Sequence, residues 1–204
     1  MAIKFQYNKT SLQQLEKQLK MRLRSLPTIK SKESALRVEV KRTKDEVRKL
    51  ELQLEEEIRA YENMLALWNE FRPDLIRVKD VSLTSRKIAG VMVPILEEIE
   101  FETKSYSLFN SPIWFSDGIS LLKQLAKVGI ESEFVGVKLE LLEHARKKTT
   151  QKVNLFEKVQ IPGYQDAIRK VKRFMEDEES LSKSSQKIMR SNQEKRKKKE
   201  EAIS

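Results

Sequence analysis

The stretch Lys152–Glu179, KVNLFEKVQIPGYQDAIRKVKRFMEDEE, decides the fold. It lies inside a series formed by Leu139, Leu142, Thr149, Val153, Phe156, Gln160, Tyr164, Ile168, Val171, Met175, Glu178 and Leu181. Steps of three and four residues, or one full heptad from Leu142 to Thr149, place these positions on one narrow stripe of a helix. A stripe this narrow cannot enclose a globular core and calls for a single partner helix.

The first third of the chain supplies that partner. Leu12, Leu15, Leu19, Leu23, Leu26 and Ile29 lead into Leu36, Val40, Val47, Leu50, Leu54, Ile58, Tyr61, Leu65 and Trp68. Glu33, Thr43 and Glu57 occupy stripe positions and weaken the seam locally. Asn8 or Ser11 can cap the helix, Ser11 with Gln14 at capping-box spacing. The pattern stops at Arg72-Pro73, because the proline ring disfavours helix for its neighbour. About 60 helical residues span on the order of 90 Å. Pro27 lies inside the pattern without disturbing its phase, which predicts a kink and not a break.

Between the stripes the period changes. Leu75, Ile76, Val78, Val81 and Leu83 read as a strand, Thr84 to Lys87 as a turn, and Ile88, Val91, Val93 and Ile95 as the return strand with a bulge at Gly90. Ile99 and Phe101 suggest a third extended piece. Ser111-Pro112 suits a helix start, and a short helix carrying Ile113, Leu121, Leu122 and Leu125 is expected to end near Gly129. Trp68 and Trp114 read as packing residues of this insert. The expected class is mostly α: a long antiparallel two-helix coiled coil with a small α/β knob, a β-hairpin plus short helix, at the end away from the termini. Its parts are a first long helix over 1–72, a hairpin-containing insert over 73–130, a second long helix over 131–192, and a basic disordered tail over 193–204. Pro162-Gly163 marks the expected bend of the second long helix.

Composition agrees. Of 204 residues 35% are charged, with five Gly, five Pro and no Cys, a mixture typical of long helices and without a disulfide framework or thiolate metal site. Met1–Tyr7 lacks the apolar core of a secretion signal, and no apolar run approaches the roughly 18 residues of a membrane span, so no direct span is expected. The net charge of +10 asks for an acidic partner. Residues 1–48 hold thirteen Lys and Arg against five Asp and Glu, and the chain from Ser185 onward seven against three. If both ends lie side by side, Lys4, Lys9, Lys187, Arg190, Lys195, Arg196 and Lys197 form one positive tip.

No catalytic constellation emerges. His144, the lone histidine, reads as a solvated helix residue and not as a base or ligand. Glu55-Glu56-Glu57 and Glu176-Asp177-Glu178-Glu179 read as solvated faces, since consecutive helical residues point apart. The glycines match neither a phosphate loop nor a dinucleotide turn. No enzyme activity, cofactor or metal is expected. A basic tail without aromatics does not support single-strand stacking, and no nucleic acid is expected. An export-apparatus coiled coil and a basic nucleic-acid-associated coiled coil remain the competing classes.

The motifs resemble the D subunit of V-type and A-type ATPases over essentially the whole chain. Lys152, Val153, Asn154, Leu155, Phe156 and Glu157, then Val159, Gln160, Ile161 and Pro162, are similar to that family's basic-Val-Asn-Ala-Leu-Glu run ending in Ile-Pro. Ile29 to Lys32 with Leu36 and Glu39 resembles its Leu-Lys-x-Lys segment, Asn8-Lys9 with Leu12, Leu15 and Leu19 its opening helix, and Gly90-Val91 with Val93-Pro94 its Gly-Val-x-x-Pro. Leu155-Phe156 in place of Ala-Leu, Gln151-Lys152 in place of two arginines, and Pro27 depart from the pattern. The resemblance implies a non-catalytic rotor shaft that couples rotation to ATP hydrolysis or synthesis and to ion transport. Its basic tip would turn within a ring of catalytic A and B subunits. Its other end would join the F subunit and the subunit seating the shaft on the membrane ring, in a cytoplasmic, membrane-peripheral location.

Overall fold

Apolar side chains at heptad spacing make two runs of helix, and a β-prone run between them makes a hairpin. The computed structural model describes residues 3–61, 65–107, 109 and 111–201, without the side chains of 65–66 and 197–201. The elements are α1 (Lys9–Ala60), α2 (Leu65–Trp68), a 3₁₀ turn (Pro73–Leu75), β1 (Ile76–Ile88), β2 (Val91–Thr103), α3 (Phe115–Asn154), a π-helical segment (Leu155–Gln160) and α4 (Ile161–Glu201). They divide into one unit of Met1–Lys30 with Gln151–Ser204 and another of Ser31–Thr150. Each pairs its helices antiparallel.

Along α1 and on to Tyr61 the residues turned away from solvent, Ser11, Gln18 and Glu39 apart, follow two strict heptad series. One is Leu12, Leu19, Leu26, Glu33, Val40, Val47, Leu54 and Tyr61; the other is Leu15, Arg22, Ile29, Leu36, Thr43, Leu50 and Glu57. Arg22 therefore takes the slot expected for Leu23, which is 48% exposed, and Ile58 likewise faces solvent. The helix passes through Pro27 unbroken and ends at Ala60, short of the expected residue 72. Asn8 is the cap: its Oδ1 accepts from the Ser11 amide at 2.7 Å, while the Ser11 hydroxyl accepts from the Gln6 amide at 3.2 Å.

In the Ser31–Thr150 unit, Leu36, Val40 and Leu142 enclose Val93 of the hairpin, with Ile88, Val91, Leu139 and Ala145 around them. Cross-helix pairs Lys44–Glu143 (2.7 Å) and Lys138–Glu46 (3.1 Å) fix the antiparallel register. With at least one partner open to solvent in each, these pairs are worth about 0–1 kcal/mol apiece and set alignment more than strength. A second cluster, Phe71, Leu75, Phe115 and Ile119 with Trp68, Tyr106 and Trp114, closes the aromatic corner.

Three boundaries differ from the sequence reading. The hairpin reverses at Ala89-Gly90, not at Thr84–Lys87, and Ile99 and Phe101 belong to β2. Both turn residues have positive φ (47° and 81°), the two-residue geometry whose twist matches paired strands. Lys79 and Glu97 are the extra residues where the register shifts. Gly129 does not end a short helix; α3 runs from Phe115 to Asn154. Gly in a helix interior costs about 1 kcal/mol, less than the burial of Leu121, Val128, Val135 and Leu142 at heptad spacing returns. Finally, α4 continues to Glu201 where a disordered tail is expected from 193.

Candidate functional site

Two features of the unit formed by Met1–Lys30 and Gln151–Ser204 stand out: the family-like motif around Pro162, and the basic end of α4.

The motif residues sit in a backbone irregularity. Pro162 has no amide hydrogen, so the α-type bond to the Lys158 carbonyl cannot form. Immediately before it the helix loosens to π geometry over Leu155–Gln160, and the Ile161 amide donates to the Phe156 carbonyl five residues back. The bend expected at Pro162-Gly163 is thus a π segment just ahead of it. Lys152 and Asn154 are exposed, Val153 is half-buried, and Ile161 is buried. Glu157 accepts from Lys30 of α1 at 2.7 Å.

Facing this segment is Arg22, which the sequence reading passed over. Its Nε donates to Gln160 Oε1 at 2.7 Å and its Nη1 to Gln18 Oε1 at 2.6 Å. The guanidinium lies 4.5 Å from the Tyr164 ring centroid and 5.9 Å from that of Phe156. Contacts of this kind are worth about 0.5–2 kcal/mol. Counting strict heptads back from Leu36 through Ile29 would have found it.

Next along α4, Leu15 packs on Ala167 and Val171, joined by Leu12, Ile168 and Met175. Residues before α1 fold back over the same cluster. Ile3 meets Gly163, where an added Cβ would lie 3.0 Å from Ile3 Cδ1, and the tilted rings of Tyr7 and Phe174 pack with centroids 4.9 Å apart. Lys172–Glu16 at 2.9 Å closes the pair.

Beyond Met175 every described side chain of α4 through Arg196 is exposed. Leu12 of α1 flanks this length only as far as Ser182; past it every described side chain of α4 is open to solvent, and Leu181, Ile188 and Met189 are 69%, 61% and 63% exposed. Lys187, Arg190, Lys195 and Arg196 project from it; the Lys197 side chain is outside the described residues. Lys4 and Lys9 are also exposed but are not brought to the same place. Lys4 follows Ile3, which sits at Gly163, and Lys9 opens α1, whose Leu12 lies near Met175. From Met175 to Lys187 is roughly 18 Å of helix. Among the described residues, Lys4 and Lys9 therefore stand apart from Lys187, Arg190, Lys195 and Arg196 of the expected tip. Local ion pairs lie just before the bare length and at its root: Lys170, with Arg169, holds Asp166 below its usual range, and Lys183 does the same for Glu179.

His144 is exposed on α3. Among the described residues no group of three His, Cys, Asp or Glu side chains could hold a metal ion, and no helix is long and apolar enough to cross a membrane.

Residues 11–191 match the family model that describes the D subunit of ATP synthase. The chain is 33% identical over 184 residues to the V-type ATP synthase D subunit of Borreliella burgdorferi, covering 88% of this chain and 90% of that one. It is 30% identical over 186 residues to the one from Chlamydia pneumoniae, 87% of each, and 28% identical over 182 residues to the one from Chlamydia trachomatis serovar L2, covering 87% and 90%.

Proposed function

Because the chain belongs to the ATP synthase D-subunit family, a stalk component of rotary ATPases, we propose that it is the non-catalytic central shaft of such a motor. In this reading the bare end of α4 enters the cavity of a ring of A and B subunits. The opposite end meets the F subunit and the subunit that seats the shaft on the membrane ring. The protein is then peripheral to the membrane on the cytoplasmic side.

The observation that carries the proposal is the unpartnered length of α4. An isolated helix in water is marginal because nucleation is costly and most helical stability comes from a packed face. Here Leu181, Ile188 and Met189 find no packing among the described residues, so a surrounding protein cavity is the natural cover. Exposed Lys and Arg suit a turning contact, since long stems carrying screened charge attract without locking one geometry.

The test is co-purification from native membranes, with the intact chain and with Gln at Lys187, Arg190, Lys195, Arg196 and Lys197. The intact chain is expected to bring down A, B and F subunits. The Gln variant is expected to assemble less well and to lose coupled turnover. Coupled turnover equal to that of the intact chain would make the basic end incidental, and recovery without A and B subunits would overturn the shaft.

A further inference from the structure

The two helices that pair in the Met1–Lys30 and Gln151–Ser204 unit do not share one repeat. On α1 the shielded positions keep strict sevens, as in Leu15, Arg22 and Ile29 or Leu12, Leu19 and Leu26. On the opposite helix they keep sevens up to Thr149 and Phe156, then step by eight to Tyr164 before resuming sevens at Val171. The second series does the same, from Arg146 and Val153 by eight to Ile161, then Ile168 and Met175, while Gln160 and Ala167, at sevens from Val153, are shielded as well where the two frames overlap. One residue is surplus. It is absorbed inside Leu155–Gln160, where the helix adopts π geometry, as a single inserted residue does in an otherwise α-helical run.

A second backbone defect lies at the same level. Arg22 reaches Gln160 and Lys30 reaches Glu157, so these two cross-links bracket Pro27, where α1 lacks one backbone bond. Both helices are weakened side by side. The seam there is polar as well: Arg22 and Gln160 meet where Leu15 meets Val171 further along. Outside it, Leu155 and Val159 are 41% and 40% exposed.

We propose that Pro27 and Leu155–Gln160 together form a built-in hinge of the helix pair, clamped by Arg22 as its positioning residue. Regions with few buried apolar contacts and irregular backbone bonds open most readily. Arg22, braced by Gln18 of its own helix, keeps the hinge closed through three partners across the pair, Phe156, Gln160 and Tyr164. By taking up the surplus residue, the π segment keeps Tyr164, Ile168 and Val171 in the seam. Without it the helix beyond the segment would meet α1 in one unbroken heptad frame.

Amide hydrogen exchange on the full chain tests this without any partner. Amides of 156–161 are expected to exchange at least tenfold faster than those of 167–175. Deleting Lys158 removes the surplus residue and is expected to slow exchange across the segment on the order of tenfold while raising the melting temperature. Arg22→Ala is expected to speed exchange at 156–161 by a similar factor and leave 36–43 unchanged. Equal exchange in 156–161 and 167–175, or a Lys158 deletion that melts earlier or fails to fold, overturns the hinge. An Arg22→Ala chain with unaltered exchange in the segment removes the clamp.

Discussion

Replacing Thr43 by Val should make this protein more stable, against the usual direction for a core substitution. Thr43 is 1% exposed, on the same heptad series of α1 as Leu36, and its hydroxyl has no hydrogen-bond partner among the described residues. Even the Glu39 carbonyl, one turn back and a common acceptor for helical Thr, is not engaged. Leaving a buried hydroxyl unsatisfied costs about 1–3 kcal/mol. Val keeps the β-branched shape, has nearly the same helix propensity, and replaces the oxygen with a methyl group of similar size. The net gain expected is about 1–2 kcal/mol, each kcal/mol moving the melting temperature by about 2–4 °C in a chain of this length. Thr43→Ser, which keeps the hydroxyl and loses the methyl, should move it the other way. Far-UV circular dichroism during thermal and urea unfolding measures both, the urea slope reporting whether the change is one of stability alone. A Val variant that melts at or below the parent temperature, or a Ser variant that melts above it, refutes the reasoning.

Further outcomes follow from the same packing. Leu142→Ala empties the fully buried centre between Leu36, Val40 and Val93, and should cost about 2–5 kcal/mol by urea unfolding. Gly90→Ala forces a Cβ to 3.1 Å from the Lys32 ammonium at φ 81° and should destabilise the turn by about 1 kcal/mol. Ala89→Asn, which tolerates the left-handed region better, should stabilise it by a smaller amount, both read from melting temperature. Glu33 is held below its ordinary 4.5 first by the hydrogen bond from Arg37 and then by that from Thr150. A depressed folded value means its contribution is present above the unfolded pKa and fades as pH falls through the folded one. Glu33→Gln should therefore flatten the loss of melting temperature below about pH 4.5, and an unchanged acid limb would show that the carboxylate contributes nothing.

How much was legible beforehand depends on whether the signal was local. The apolar period of α1, its partner stripe from Leu139 to Met175, the strand-forming run and the aromatic packing of Trp68 and Trp114 all came from residue spacing and type. The hairpin turn did not, because Ala89 carries no turn signature and adopts positive φ only since the strands on either side pair in that register. Gly129 misled for the opposite reason: an intrinsic helix-breaking preference lost to heptad burial on either side of it. Arg22 went unseen because apolarity favoured its neighbour Leu23. Only the strict sevens, or the ring of Tyr164 opposite, show which of the two enters the seam.

Alone, the sequence determined that two long helices must bury narrow stripes against each other, that positive charge gathers toward both ends of the chain, and that a family motif surrounds Pro162. These are properties of spacing and composition, readable without knowing what touches what. Tertiary structure decided that residues before α1 fold back to Gly163, leaving Lys4 and Lys9 apart from Lys187 to Arg196. It also decided that α4 continues with its described side chains open to solvent beyond Ser182, and that a surplus residue is taken up opposite Pro27. Each of these is a matter of register between distant segments, set by how two helices align and not by the preference of either one.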